Sequence, residues 1–176
     1  MTTLVQFADP TLIVFGKLAL AALLGMIIGT ERATAGKGAG TRTFALVALG
    51  SCLVMVVGKE VDAQYLGIVN FDPMRIASAV VQGIGLLAAG LILFQRQEVH
   101  GMTTAAGLWV VAGLGIAVGA GMYLVAIFAT TLIILVFTAV WFIENRIKMW
   151  FGYNAQSARP PVRNSEMEQN HSDDEA

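Results

Sequence analysis

Glu31 and Arg32 stand side by side at the end of an apolar run that begins near Leu12. A glycine-rich turn follows, with Gly36, Lys37, Gly38 and Gly40, and then Thr41-Arg42-Thr43 opens a second apolar run. Ionised groups at the ends of two membrane helices are costly unless they reach water or one another. Two readings fit these residues. In one, Arg32, Lys37 and Arg42 are ordinary topology signals and Glu31 balances one of them. In the other, the three cations form a rim that binds anions or lipid headgroups. The residues alone leave both open.

A second polar set lies further along. Asp72 and Arg75 flank the start of a third apolar run, Gln82 lies inside it, and Thr103, Thr104 and Trp109 open a fourth. An amide in hydrocarbon needs hydrogen-bond partners, so Gln82 is a candidate for an interhelical network that also serves a ligand. Serine and threonine in such helices mostly bond their own backbone. Mg²⁺ prefers octahedral oxygen ligands including one or two carboxylates. The membrane-proximal carboxylates Glu31 and Asp72 fall on opposite faces, so one subunit cannot join them in a single site. No metal ligand set and no cofactor are therefore expected, with Mg²⁺ kept only as a candidate ligand. No nucleophile–base pair, zinc-type cluster or phosphate-binding loop is visible, and no enzyme activity is expected.

The elements that position these groups follow from composition. Of the 176 residues, 56% are hydrophobic and 13% charged, about half the charge of a soluble domain. The charges sit in clusters between uncharged runs, which makes this a polytopic, all-α membrane protein. With a net charge of −1 there is no sign of a nucleic-acid partner. Cys52 is alone in an apolar run and reads as a small hydrophobe. Ala33-Thr34-Ala35 imitates a cleavage site, but Lys17 interrupts the run before it, so the first segment is expected to be retained.

Five transmembrane helices are expected, over about 12–30, 43–58, 74–94, 103–118 and 122–144, within a domain spanning 1–153. The second is short for a span unless it extends through Arg42 and Lys59; Gly58 to Asp72 reads as a polar loop, and Gln95 to His100 as a brief turn. The uncharged run from Gly101 to Ile143 would measure about 60 Å as one helix, twice the bilayer core, so it must fold back near Gly119-Ala120-Gly121. Residues recurring at helical spacing, Ala21, Gly25 and Gly29, Ala79 and Gly83, and Gly115 and Gly119, offer close helix packing. Gly83, Gly85 and Gly90 make the third helix thin and open to a kink. The distribution of lysine and arginine places the N-terminus outside and the C-terminus in the cytoplasm. Ile147, Trp150 and Phe151 share one face at the chain's last apolar stretch, and residues 154–176 read as a disordered cytoplasmic tail.

Three ordered blocks resemble the MgtC/SapB family of membrane proteins. They are Gly29-Thr30-Glu31-Arg32 with Gly40-Thr41-Arg42-Thr43; Asp72-Pro73-Met74-Arg75 with the run from Gln82 through Gly83 and Gly85 to Gly90; and Gly101-Met102-Thr103-Thr104-Ala105-Ala106 with Trp109. Leu86 and Ala88 depart from the family's usual phenylalanine and glycine, and the soluble C-terminal domain of longer members is expected to be missing. The resemblance implies a bacterial inner-membrane protein tied to growth at low magnesium and, in some pathogens, to survival inside host cells. It implies regulation of other membrane machinery, the ATP synthase or cation pumps, with a small-ion transporter or channel as the alternative. The expected partners are the lipid bilayer, other integral membrane proteins and, as an assembly left open, further copies of the same chain.

Overall fold

The computed structural model describes residues 9–64, 72–95 and 98–150. The tail from 154 onward and Phe151 lie outside them. The chain divides into two compact units, Met1–Val136 and Phe137–Ala176. Five helices make up the described part: α1 (Pro10–Thr34), α2 (Thr41–Gln64), α3 (Pro73–Ala89), α4 (Met102–Ala120) and α5 (Tyr123–Trp150). Four of them, all but α3, are long and apolar enough to cross a membrane. The fold is an all-α bundle with one small hairpin between α3 and α4.

Helix α1 begins at Pro10, where the missing N–H costs nothing because the first-turn donors lack partners anyway. It packs against α2 in antiparallel fashion. Gly29 faces Thr41 and Gly40, and Gly25, one turn earlier, faces Phe44, Ala45 and Ala48. A side chain at either glycine would hold the backbones apart; a Cβ at Gly29 would lie 2.6 Å from the Thr41 Cα.

Helix α2 is the centre of the first unit, in contact with α1, α3 and α4. It spans 24 residues, about 36 Å at 1.5 Å per residue, and so covers the hydrocarbon. The expected stop at 58 is corrected. Lys59, Glu60 and Asp62 are helical, not part of a loop, and Lys59 Nζ donates to the Ala120 carbonyl oxygen at 2.8 Å. That carbonyl belongs to the last turn of α4, where unpaired acceptors favour a cation. Helix α4 runs parallel to α2, with Gly115 against Ala48 and Ser51 and Gly119 against Cys52 and Met55. A Cβ at Gly115 would clash with the Ala48 carbonyl oxygen.

Helix α3 is shorter than expected, ending at Ala89 and not at 94. Its 17 residues reach about 25 Å. The stretch expected to complete it forms strands β1 (Leu93–Gln95) and β2 (Glu98–His100), paired antiparallel with Leu93 opposite His100. The brief turn expected at Gln95 to His100 is thus half of a hairpin. Gly101 closes it with φ +88°, and a Cβ there would collide with the Leu91 carbonyl; only glycine fits that left-handed position without strain. The reversal between α4 and α5 uses Gly121, also left-handed at φ +90°.

The portion of α5 in the first unit buries Ala126 and Thr130, one turn apart, and exposes Leu124, Phe128, Leu132 and Leu135. Thr130 Oγ1 donates to Ala126 O at 2.9 Å, which removes its need for a partner from another helix. In the second unit, the Arg146 guanidinium lies 5.6 Å from the centroid of the Phe142 ring, within cation–π range.

Candidate functional site

The packing fixes which polar residues share an end of the first unit. Antiparallel α1 and α2, with α4 parallel to α2, bring the C-terminus of α1 and the N-termini of α2 and α4 to one end. Glu31, Arg32, Arg42, Thr43, Thr103 and Thr104 therefore belong together by fold. Asp72 and Arg75 start α3 at the other end. The sequence expectation that Glu31 and Asp72 cannot share a site within one subunit follows from this arrangement.

At the first end the central feature is the Glu31–Arg32 pair. The guanidinium is bidentate on its neighbour: Arg32 Nε donates to Glu31 Oε2, and Nη2 donates to Oε1 at 2.7 Å. The Arg32 side chain is 4% exposed and that of Glu31 20%. Two parallel N–H···O bonds between ions are among the strongest side-chain contacts, and burial makes each partner dependent on the other. Beside the pair, the Thr30 and Thr41 hydroxyls lie 3.4 Å apart across the α1–α2 seam, and Thr30 Oγ1 donates to Met26 O. The intervening turn is held by Lys37 N–H donating to Arg32 O.

The other basic groups differ in setting. Lys37 and Arg42 are exposed, as are Thr43 and Thr103, whereas Thr104 is buried. The three cations that the sequence grouped as one rim thus separate into one buried, paired arginine and two exposed charges. Trp109 is half exposed on the outside of α4. Asp72 caps α3, its Oδ1 accepting the Met74 N–H at 2.9 Å, and Arg75 is exposed one turn on. Gln82 is exposed at the middle of α3 and is not drawn into a network with other described residues.

The glycines named for packing also separate. Gly25, Gly29, Gly115 and Gly119 sit at helix contacts. Gly83 and Gly85 do not: nothing lies within 4 Å of a Cβ at either. Gly90 caps α3, and α3 shows no break between Pro73 and Ala89. Sequence reasoning missed Ser51, whose hydroxyl is buried against α4 without a hydrogen-bond partner among the described residues, and the contact from Lys59 to α4. For Ser51 the available signal was its position one turn after Ala48 on a helix whose partner carries glycines.

The MgtC family model matches residues 18–146, the span that holds all of these positions. The chain belongs to the MgtC family. Among curated relatives of this MgtC-family chain, the "Putative magnesium transporter YhiD" of Escherichia coli (strain K12) is 45% identical over 122 residues, covering 68% of the chain and 57% of that protein. Protein SapB of Bacillus subtilis (strain 168) is 38% identical over 135 residues, 74% of the chain and 56% of SapB. Protein MgtC of Salmonella typhimurium (strain LT2) is 39% identical over 117 residues, 66% of the chain and 48% of MgtC. The chain spans about half the length of the relatives it matches. No solved structure matches it. Family membership and the four long apolar helices make it a multi-pass membrane protein.

Proposed function

We propose that this MgtC-family protein serves magnesium adaptation as a regulator of other membrane proteins, the ATP synthase or cation pumps among them, and is not itself a carrier or an enzyme. In this reading it lies in the bacterial inner membrane with Lys37 and Arg42 on the cytoplasmic side. Its outward-directed residues then engage lipid headgroups and neighbouring membrane proteins. The observation that supports it is the state of Glu31. Both carboxylate oxygens are held by Arg32, so the membrane-end carboxylate on that side is already neutralised and is not offered to a passing Mg²⁺. The nearby exposed charges, Lys37 and Arg42, are cations, which suit anions and headgroups.

The competing reading, a small-ion transporter, draws on the printed name of the Escherichia coli relative. The two separate in liposomes loaded with a Mg²⁺-sensitive dye. The regulator reading expects entry of Mg²⁺ no faster than into empty vesicles. Mg²⁺ entry well above that background, and lost in Glu31→Gln, would overturn it.

A further inference from the structure

The face of α3 turned away from the bundle carries polar groups beyond the Asp72 cap that starts the helix. Asp72, Arg75, Ala79, Gln82 and Leu86 are all exposed, and they follow one another at intervals of three and four. That is the spacing of a two-helix seam. The opposite side of α3, with Ile76, Val80, Ile84 and Ala88, is the side that is partly or fully buried. Gly83 lies next to Gln82 on the open face, with nothing within 4 Å of where its Cβ would sit.

We propose that this face is where two copies of the chain pair in the bilayer. The inference does not rest on the regulatory reading. Three features select a second copy as the occupant. The amide of Gln82 lies at mid-helix, where hydrocarbon leaves it unsatisfied. A glutamine amide is both donor and acceptor, so the same side chain on a second copy answers it reciprocally. Two copies of one topology are parallel, and a twofold axis along the membrane normal sets Gln82 against the partner's Gln82. That axis also lets Arg75 reach the partner's Asp72 while the partner's Arg75 reaches Asp72. The seam is thus self-complementary in both charge and hydrogen bonding, as a twofold interface requires. Ala79 and Gly83 keep the helices close enough for these contacts. Finally, α3 is the shortest helix, and association is one way a short span is accommodated.

Disulfide cross-linking in native membranes tests the pairing. Ala79→Cys and Gly83→Cys, each with Cys52→Ala, are oxidised with copper phenanthroline and compared with Leu124→Cys on the exposed surface of α5. The expected result is a band at twice the chain mass for the two α3 variants, at least fivefold stronger than for Leu124→Cys. No such band, an equal band from Leu124→Cys, or a product of another mass overturns the proposal, the last by showing a different membrane protein on this face. Adding Gln82→Leu to Ala79→Cys should weaken the band at least fivefold, and Gln82→Asn should largely preserve it. Gly83→Leu guards against misfolding as the cause, because its side chain enters open space in one copy. It should abolish the Ala79→Cys dimer while leaving the thermal unfolding of the detergent-solubilised monomer unchanged. An undiminished dimer in Gly83→Leu overturns the pairing.

Discussion

Gly25, Gly29, Gly115 and Gly119 lie where α1 and α4 press on α2, whereas Gly83 and Gly85 lie where α3 leaves room around itself. At the first four, any added Cβ meets another helix, in three cases below 2.8 Å from backbone. At the other two it meets nothing within 4 Å. Small residues in membrane helices thus serve two ends in one small protein. One set is consumed by the fold of the single chain, and the other remains available after that fold is complete.

The largest expected effect comes from filling the tightest contact. Gly115→Leu drives a side chain into the Ala48 carbonyl and should destabilise the bundle by about 3 kcal/mol, the upper range for overpacking. Chemical unfolding in detergent micelles checks it, and a wild-type transition would dissolve the contrast drawn above. Gly29→Ala adds one methyl at 2.6 Å from the Thr41 Cα; a cost of about 2 kcal/mol is expected, because α1 can shift slightly. Lys59→Met removes the 2.8 Å bond to Ala120 and sharpens the comparison by weighing a polar link along the α2–α4 seam against its glycine contacts. About 1 kcal/mol is expected from the same unfolding curves. The smallest effect is at Gly85→Ala, which should leave stability unchanged or raise it by at most about 1 kcal/mol through helix propensity. A loss as large as that of Gly29→Ala would place α3 among the tightly packed helices after all.

Much of the architecture was legible because hydropathy and charge placement are strong signals in a membrane protein. The five helices and the separation of Glu31 from Asp72 follow from uncharged runs and the loops between them. Spacing could not say which small residues meet a neighbour. Gly83 and Gly115 carry the same kind of pattern, and only tertiary contact distinguishes them. The end of α2 was misplaced for a related reason. Lys59, Glu60 and Asp62 read as loop residues by polarity, yet a helix projecting beyond the apolar layer tolerates them, and Lys59 gains a carbonyl from α4. The hairpin after α3 was hidden because the left-handed turn at Gly101 is visible only as a glycine among many. At the candidate site, the sequence grouped Arg32 with Arg42 as equivalent cations. Their difference arises from burial: Arg32 is enclosed where α1 ends, while Arg42 begins α2 with its side chain outside.

The alternation of helix directions has an electrostatic result. At the Glu31 end, α2 and α4 present partially positive N-termini while α1 and α3 present partially negative C-termini. These partial charges of about half a unit each oppose one another in pairs, and the peptide dipoles leave little net field there. With Glu31 and Arg32 also neutralising each other, the exposed side chains of Lys37 and Arg42 add positive potential for an approaching anion at this mouth. Because both side chains are exposed, that contribution is one that salt screens.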